Sequence, residues 1–344
     1  MGNATPTTTS QTTVVARDNG MSGLFNAKHR GQIESLKSKL GATVVNALTD
    51  PRTIEVMLNP DGILWRECFG EPMKKIGYLG ADQARNAMGL IAGCFDLLLN
   101  ADNPILECEL PLDGSRFAGT VPPVSDAPCF AIRKKANAVF TLDDYVAKAI
   151  LTERQCEVIW RLIAERKNIL VVGGTGSGKT TFANAVLHEI TQLDPDCRQV
   201  IIEDTYELQS TCPNRINFCT SVKCSATELL KVTLRLRPDR IIVGEMRDGV
   251  AHDLLQCWNT GHPGGISTVH ANDCLAALNR VVNLVSQSKN APRVIEPDVA
   301  IAVNALVCIQ KNPAKQFRRE VTEIRFVDGY DKEQGFVTHS SNEG

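Results

Sequence analysis

Residues 168–181 read NILVVGGTGSGKTT. A short apolar run enters a loop of four glycines and leaves it through a lysine and two threonines. Gly173-x4-Gly178-Lys179-Thr180 is the spacing of a Walker A phosphate-binding loop. The stretch that follows, FANAVLHEI, reads as a helix, so the loop joins a buried strand to a helix start. Glycine lets the backbone curl until the N–H groups of Gly173, Gly174, Thr175, Gly176, Ser177 and Gly178 point inward at phosphate oxygens. The helix start adds its positive dipole end. Lys179 reaches the β- and γ-phosphates as a point charge, the Thr180 hydroxyl ligates Mg²⁺, and Thr181 touches the α-phosphate. The ligand expected here is a nucleoside triphosphate with Mg²⁺.

Phosphoryl transfer to water needs carboxylates near that loop. VIIEDTYEL places Glu203 and Asp204 where an apolar run ends, at the edge of an α/β sheet where ligands bind. LRLRPDRIIVGEMRDG places Glu245 at the end of another such run, with Gly244 where a Walker B strand usually carries aspartate. Glu245 is assigned to the attacking water. Glu203 is assigned to the metal shell, reached through water, and the reverse assignment stays open. His262 and His270, in TGHPGGISTVHAND, lack the helical i,i+4 spacing of a zinc pair, so polar contacts near the γ-phosphate are expected of them. Positive charge against the phosphate could come from Arg235, Arg237, Arg240 or Arg247, or from Arg116 and Arg133 in the first half. An ordinary surface role is the alternative for each.

These residues need a scaffold. From Lys167 onward, β-branched apolar runs (Ile169–Val172, Val200–Ile202, Arg240–Val243) alternate with helical stretches. That pattern predicts a mostly parallel sheet covered by helices on both faces, an α/β P-loop domain over residues 148–330. Earlier, Ile33, Leu36, Leu40, Val44 and Leu48 recur at helical spacing, and strands flank an Asn59-Pro-Asp-Gly turn and an Asp113-Gly114 turn. Residues 26–138 therefore read as a smaller α+β domain. Residues 139–147 read as a linker, with Thr141 and Asp144 approximating a capping box. The polar stretches 1–25 and 331–344 read as flexible tails.

Composition narrows the classes. At 344 residues two domains are expected. A formal net charge of −2 gives no global basic signal and argues against direct nucleic-acid binding. The twelve cysteines include no CxxC pair, a poor zinc template, and read as reduced thiols. No stretch approaches the roughly 20 apolar residues of a membrane span. Lys311, Lys315, Arg318 and Arg319 form one local basic cluster, read as a solvated face, with docking to lipid headgroups or a partner as the alternative.

In this order, GGTGSGKTT, IIEDTYEL, LRLRPDRIIVGEMRD and TGHPGGISTVHA resemble the Walker A, Asp box, Walker B and His box of the secretion ATPase superfamily, over about residues 141–329. The stretches VMLNPDGILWRE, PILECELPLDGSRFAGTVPPV and FAIRKKANAVFTLDDYV look like the N-terminal domain of its conjugative-transfer branch, the TrbB-like type IV secretion traffic ATPases. The resemblance implies a RecA-like fold for the C-terminal P-loop domain, ATP as the nucleotide and phosphate-facing roles for Arg116 and Arg133 in catalysis. It implies a homohexameric ring that works with inner-membrane components of a conjugation machine. It places the ring at the cytoplasmic face of the inner membrane, with peripheral membrane contact. Other motors of the superfamily, a nucleic-acid translocase and a non-hydrolysing scaffold are the competing functions.

Overall fold

The computed structural model describes residues 30–68, 71–135, 139–221, 224–312 and 318–341. The chain divides into two compact units between Ala138 and Val139.

In the first unit, helix α1 (Arg30–Thr49) leads into strands β1 (Thr53–Leu58), β2 (Ile63–Cys68) and β3 (Lys74–Tyr78). Helix α2 (Ala81–Cys94) and strands β4 (Ile105–Glu109), β5 (Arg116–Thr120) and β6 (Cys129–Arg133) follow. The periodic set Ile33, Leu36, Leu40, Val44 and Leu48 is buried, although Gly41 (φ 79°) interrupts α1 with a kink. Leu36, Leu40 and Val44 share one core with Met88 and Ile91 of α2 and with Val56, Phe117 and Ile132 of the sheet. The strands run β3-β2-β1-β6-β5-β4, every pair antiparallel. The β1–β2 turn closes at Gly62, whose φ of 80° suits glycine.

The second unit begins where a linker was expected. Residues 142–147 are instead helix α3 (Leu142–Ala147), closed by a full capping box between Thr141 and Asp144. Leu142 and Tyr145 of α3 are buried in the unit's own core, which is why this stretch belongs to the domain. Then come α4 (Glu153–Ala164), β7 (Ile169–Val172), α5 (Lys179–Leu193), β8 (Gln199–Glu203), β9 (Arg215–Cys219) and α6 (Ala226–Thr233). They are followed by β10 (Arg240–Val243), α7 (Val250–Asn259), β11 (Ile266–Val269), α8 (Cys274–Ser286), α9 (Glu296–Ala302), β12 (Ala305–Asn312), β13 (Arg318–Asp331) and β14 (Gly335–Ser340).

The sheet order is β14-β13-β12-β7-β11-β10-β8-β9. From β12 to β9 every neighbouring pair is parallel, and β13 and β14 add an antiparallel edge. Alternate residues of one strand feed opposite cores. Leu170 and Val172 pack with α7 and α8, whereas Ile169 and Val171 pack with α4 and α5. Burial on both faces is why these strands read as continuous apolar runs.

The expected C-terminal tail also needs correction. Its polar residues Asp331–Gln334 form a turn in which the Asp331 carboxylate accepts from the Glu333 and Gln334 amides at 2.8 and 2.9 Å. Beyond it, β14 pairs with β13, and Phe336 packs against the core. The polar turn masks a strand of alternating character. The expected N-terminal tail, 1–25, lies outside the described residues.

The entry to β11 is tightly built. A methyl group on Gly265 would collide with the Trp258 indole Nε1 and lie 2.6 Å from the Ile241 carbonyl, the two groups that share a hydrogen bond of 3.1 Å. Gly265→Ala is expected to lower unfolding free energy by roughly 2–4 kcal/mol, through overpacking and loss of that bond. Gly89→Ala, whose methyl would meet nothing within 4 Å, is expected to leave stability unchanged or slightly raised. Urea midpoints of the two variants test this.

Candidate active site

Strands β7, β11, β10 and β8 end together, with Val172 level with Val269 and Val243 level with Ile202. The residues that follow them share one edge of the sheet. After β7 the glycine loop turns into α5. Gly176 (φ 68°) and Gly178 (φ 100°) adopt backbone that other residues avoid. Gly173 is glycine for a different reason, since a Cβ there would collide with the Ile309 carbonyl and sit 2.5 Å from Ser177 Oγ. Thr180 and Thr181 lie in the first turn of α5, where backbone N–H groups have no intrahelical acceptor. The Ser177 hydroxyl is buried and has no hydrogen-bond partner among the described residues. A curled backbone, an unused buried hydroxyl and a helix start together fit a phosphate chain.

Lys179 is buried at the head of α5. Its Nζ donates to the Gly173 and Gly174 carbonyls at 2.9 and 3.0 Å and lies 3.3 Å from the His270 ring nitrogens. His270, just past β11, has its Nε2 3.5 Å from Glu245 Oε1. Arg247 clamps Glu245 from the other side, donating to Oε2 at 2.6 Å, and reaches Asp204 at 3.3 Å. Burial pushes the Glu245 carboxyl up, but the Arg247 hydrogen bond and the charges of Arg247, His270 and Lys179 outweigh it, and the net shift is downward. Glu245 is therefore a carboxylate held ionised and aimed along a chain of polar groups that ends at the glycine loop.

Glu203 has a different setting. It is buried, and its Oε1 accepts the amides of Glu207 and Leu208 at 3.0 and 2.8 Å. Its side chain lies across Gly244, where a Cβ would stand 3.0 Å from Glu203 Cγ. Glycine replaces the usual Walker B aspartate because the Glu203 carboxylate crosses that position. Glu203 thus ends β8 beside Gly244, and Glu245 is the next residue along the neighbouring chain segment. Among the described residues no group of three or more His, Cys, Asp or Glu could hold a metal ion by itself. An Mg²⁺ here would take its ligands from Thr180, water and phosphate.

Several expected residues lie elsewhere. His262 precedes β11 and faces the Pro238 carbonyl at 3.0 Å. Pro238 precedes β10, so His262 is at the amino edge of the strands, about 13 Å from the loop edge for a four-residue strand. Pro263-Gly264-Gly265, directly after His262, carries the chain to the start of β11. Arg240 opens β10 at that same far edge and is 2% exposed. It donates to the Gly264 and Ile163 carbonyls and lies 3.8 Å from Asp194, a structural role. Arg247 serves Glu245 and Asp204 rather than standing free. Arg237 (φ 51°) ends the 3-10 turn after α6, which also holds Arg235.

Arg116 and Arg133 belong to the first unit's sheet, directly opposite one another on β5 and β6. Glu55 flanks Arg133 and Glu109 flanks Arg116 in the same rung. Like charges directly opposed repel, so this rung concentrates positive charge between two acids. Burial raises the Glu55 carboxyl, against the lowering charge of Arg133.

Sequence reasoning missed one feature of the loop. Lys311 of β12 and Arg319 of β13 face each other in register and lie against the glycines. Arg319 Nη2 donates to the Gly176 carbonyl at 3.4 Å. Lys315, from the same basic cluster, is outside the described residues. Only the pairing of β12 with β7 reveals where the cluster points.

The linkage of Glu245 gives a pH test. Its folded pKa lies below the ordinary 4.5, so its contribution to stability is complete above that value and is lost as pH falls through the lowered pKa. Glu245→Gln should lose this part of the acid-side slope, and the stability gap to wild type should narrow below about pH 4.5. Urea midpoints across pH 3–7 measure it.

The model of the family described as "Type II/IV secretion system protein" matches residues 87–324. The chain is 40% identical over 317 residues to a probable conjugal transfer protein TrbB of Sinorhizobium fredii, covering 92% of this chain and 97% of that protein. It is 28% identical to the type IV secretion system protein VirB11 of Bartonella quintana, over 81% of this chain and 89% of the relative. Among solved structures, the Legionella pneumophila ATPase DotB shares the fold at a TM-score of 0.59 and 18% identity, covering 84% of this chain and 80% of that one. With its site geometry and these relatives, the chain belongs to the secretion ATPase superfamily, in the TrbB-like conjugative-transfer branch of the type IV secretion ATPases.

Proposed function

We propose that the chain is an ATPase that drives a type IV secretion or conjugative-transfer machine through Mg²⁺-dependent hydrolysis of ATP. The observation that carries this reading is the continuous run Lys179–His270–Glu245–Arg247 at the mouth of the glycine loop.

Each group has a task in that reading. The loop amides and Lys179 hold the β- and γ-phosphates. Thr180, with Glu203 acting through water, would hold Mg²⁺, which would supply positive charge against the phosphate oxygens. Glu245, ionised at neutral pH, orients a water for in-line attack on the γ-phosphorus and receives its proton as the bond to ADP breaks. His270 lies between the charge on Lys179 and the carboxylate of Glu245, so it senses the γ-phosphate and stabilises its release. Arg116 and Arg133 act as an anion-binding pair for phosphate.

The chain's relatives in conjugal transfer and type IV secretion support pilus biogenesis and DNA–protein transfer as the work performed. The working form is a homohexameric ring, docked on inner-membrane components at the cytoplasmic face of that membrane. No described helix is long and apolar enough to cross a membrane. Attachment through partners and peripheral contact is the arrangement proposed.

Three proteins test the reading: wild type, Lys179→Ala and Glu245→Gln, assayed for ATP binding, phosphate release and mass in solution. Wild type is expected to hydrolyse MgATP as a hexamer. Lys179→Ala is expected to bind ATP about a hundredfold more weakly. Glu245→Gln is expected to bind normally while turnover falls by about 10²–10⁴. Full turnover in Glu245→Gln would move the water-activating role to Glu203. ATP binding without hydrolysis by wild type, with its membrane partners present, would favour a nucleotide-dependent scaffold.

A further inference from the structure

Around the glycine loop the acids gather on one flank, paired there with Arg247 and His270, and two further cations lie on the other flank. Glu203, Asp204 and Glu245 follow β8 and β10, on one side of β7. On the other side lies β12, parallel to β7 with Cys308 level with Val172. The residues of β12 beyond Cys308 therefore run beside the loop, and β13 returns alongside them.

Two cations come from that flank. Lys311 and Arg319 are directly opposed across β12 and β13. The Lys311 ammonium lies 3.2 Å from where a Cβ on Gly176 would stand. Arg319 lays its Cδ and Nε 3.0 and 3.1 Å from the corresponding point on Gly178. Both glycines thus have a second reason to lack a side chain, because one would displace these cations. Lys311 makes no ion pair among the described residues. Opposed like charges on paired strands repel, and a polyanion on the adjoining loop relieves that cost.

We propose that Lys311 and Arg319 are phosphate ligands supplied by the same chain, holding the nucleotide's α- and β-phosphate oxygens on the flank away from the acids. The proposal rests on the nucleotide reading of the loop. A metal ion bound to the same phosphates lies toward the carboxylates, since they are its natural counter-charges. The oxygens left facing β12 and β13 are the metal-free ones, and those need protein cations. The ammonium acts as a point charge, whereas the guanidinium offers a planar fork. The role is shared by ADP and ATP and does not require Mg²⁺.

The test is calorimetric titration of the full chain with ADP, once with Mg²⁺ and once in EDTA. Lys311→Ala and Arg319→Ala are each expected to raise the Kd for ADP roughly tenfold, by the same factor in both conditions. Glu203→Gln is expected to weaken ADP only when Mg²⁺ is present. Lys311 is half-buried beside the loop, and its truncation is expected to leave the melting temperature unchanged. For Arg319, the melting temperature is compared with wild type, and Arg319→Lys is expected to recover part of the affinity. A Kd within twofold of wild type for both alanine variants overturns the proposal, as does a loss confined to the Mg²⁺ condition. If wild type itself binds no ADP, the nucleotide reading fails and this one with it. If Lys179→Ala loses ADP while both alanine variants keep it, the nucleotide reading stands and this proposal alone falls.

Discussion

Burial of one four-residue strand on both of its faces is the constraint from which the second unit follows. Ile169–Val172 has no exposed side to spare, so helices must cover it above and below and parallel neighbours must satisfy its backbone on both edges. Once β11 and β12 occupy those edges, everything that follows their carboxyl ends is drawn to the same line. The glycine loop, His270 and Lys311 are neighbours because β7 is central, although they lie far apart in the chain. Glu203 and Glu245 enter by the same logic, two strands further on.

That arrangement divides the charge. Carboxylates gather on one flank of the loop, with Arg247 among them, and Lys311 and Arg319 lie on the other, with Lys179 between the two groups. A site built this way does not bind a simple anion best. It suits an anion that already carries a cation on one side, because each half of the complex then meets its opposite. Arg247 fits this picture, since it pairs with both Glu245 and Asp204 on the acidic flank. The far edge of the strands shows the contrast: there Arg240 is wholly buried and spends its donors on carbonyls.

Much of this was legible in the sequence, for a physical reason. A strand buried on both faces must be apolar throughout, so β7, β8 and β10 could be read directly, and with them the residues at their ends. The glycine loop is legible because few backbones need glycine at those spacings. Contacts between strands distant in sequence were not legible. His262 looks equivalent to His270 in composition, yet the turn between them puts the two at opposite ends of β11. Asp331–Gln334 looks like a frayed end because a charged turn and a charged tail have the same composition. Lys311 and Arg319 look like a solvated patch because nothing local records that β12 pairs with β7. Residues 139–147 look like a linker because a helix of six residues is too short to display a helical repeat.

The long strand β13 gives the unit a mechanical property. It runs from Arg318 to Asp331; at about 3.3 Å per residue the span is roughly 40 Å. One end, at Arg319, rests on the glycine loop. The other carries the β13–β14 hairpin, with Tyr330 and Phe336 packed edge to face. Pairing with β12 and then with β14 stiffens it along most of its length, and the register shift between Val327 and Gly329 provides one place to bend. One continuous ladder of backbone hydrogen bonds therefore joins the glycine loop to the hairpin tip.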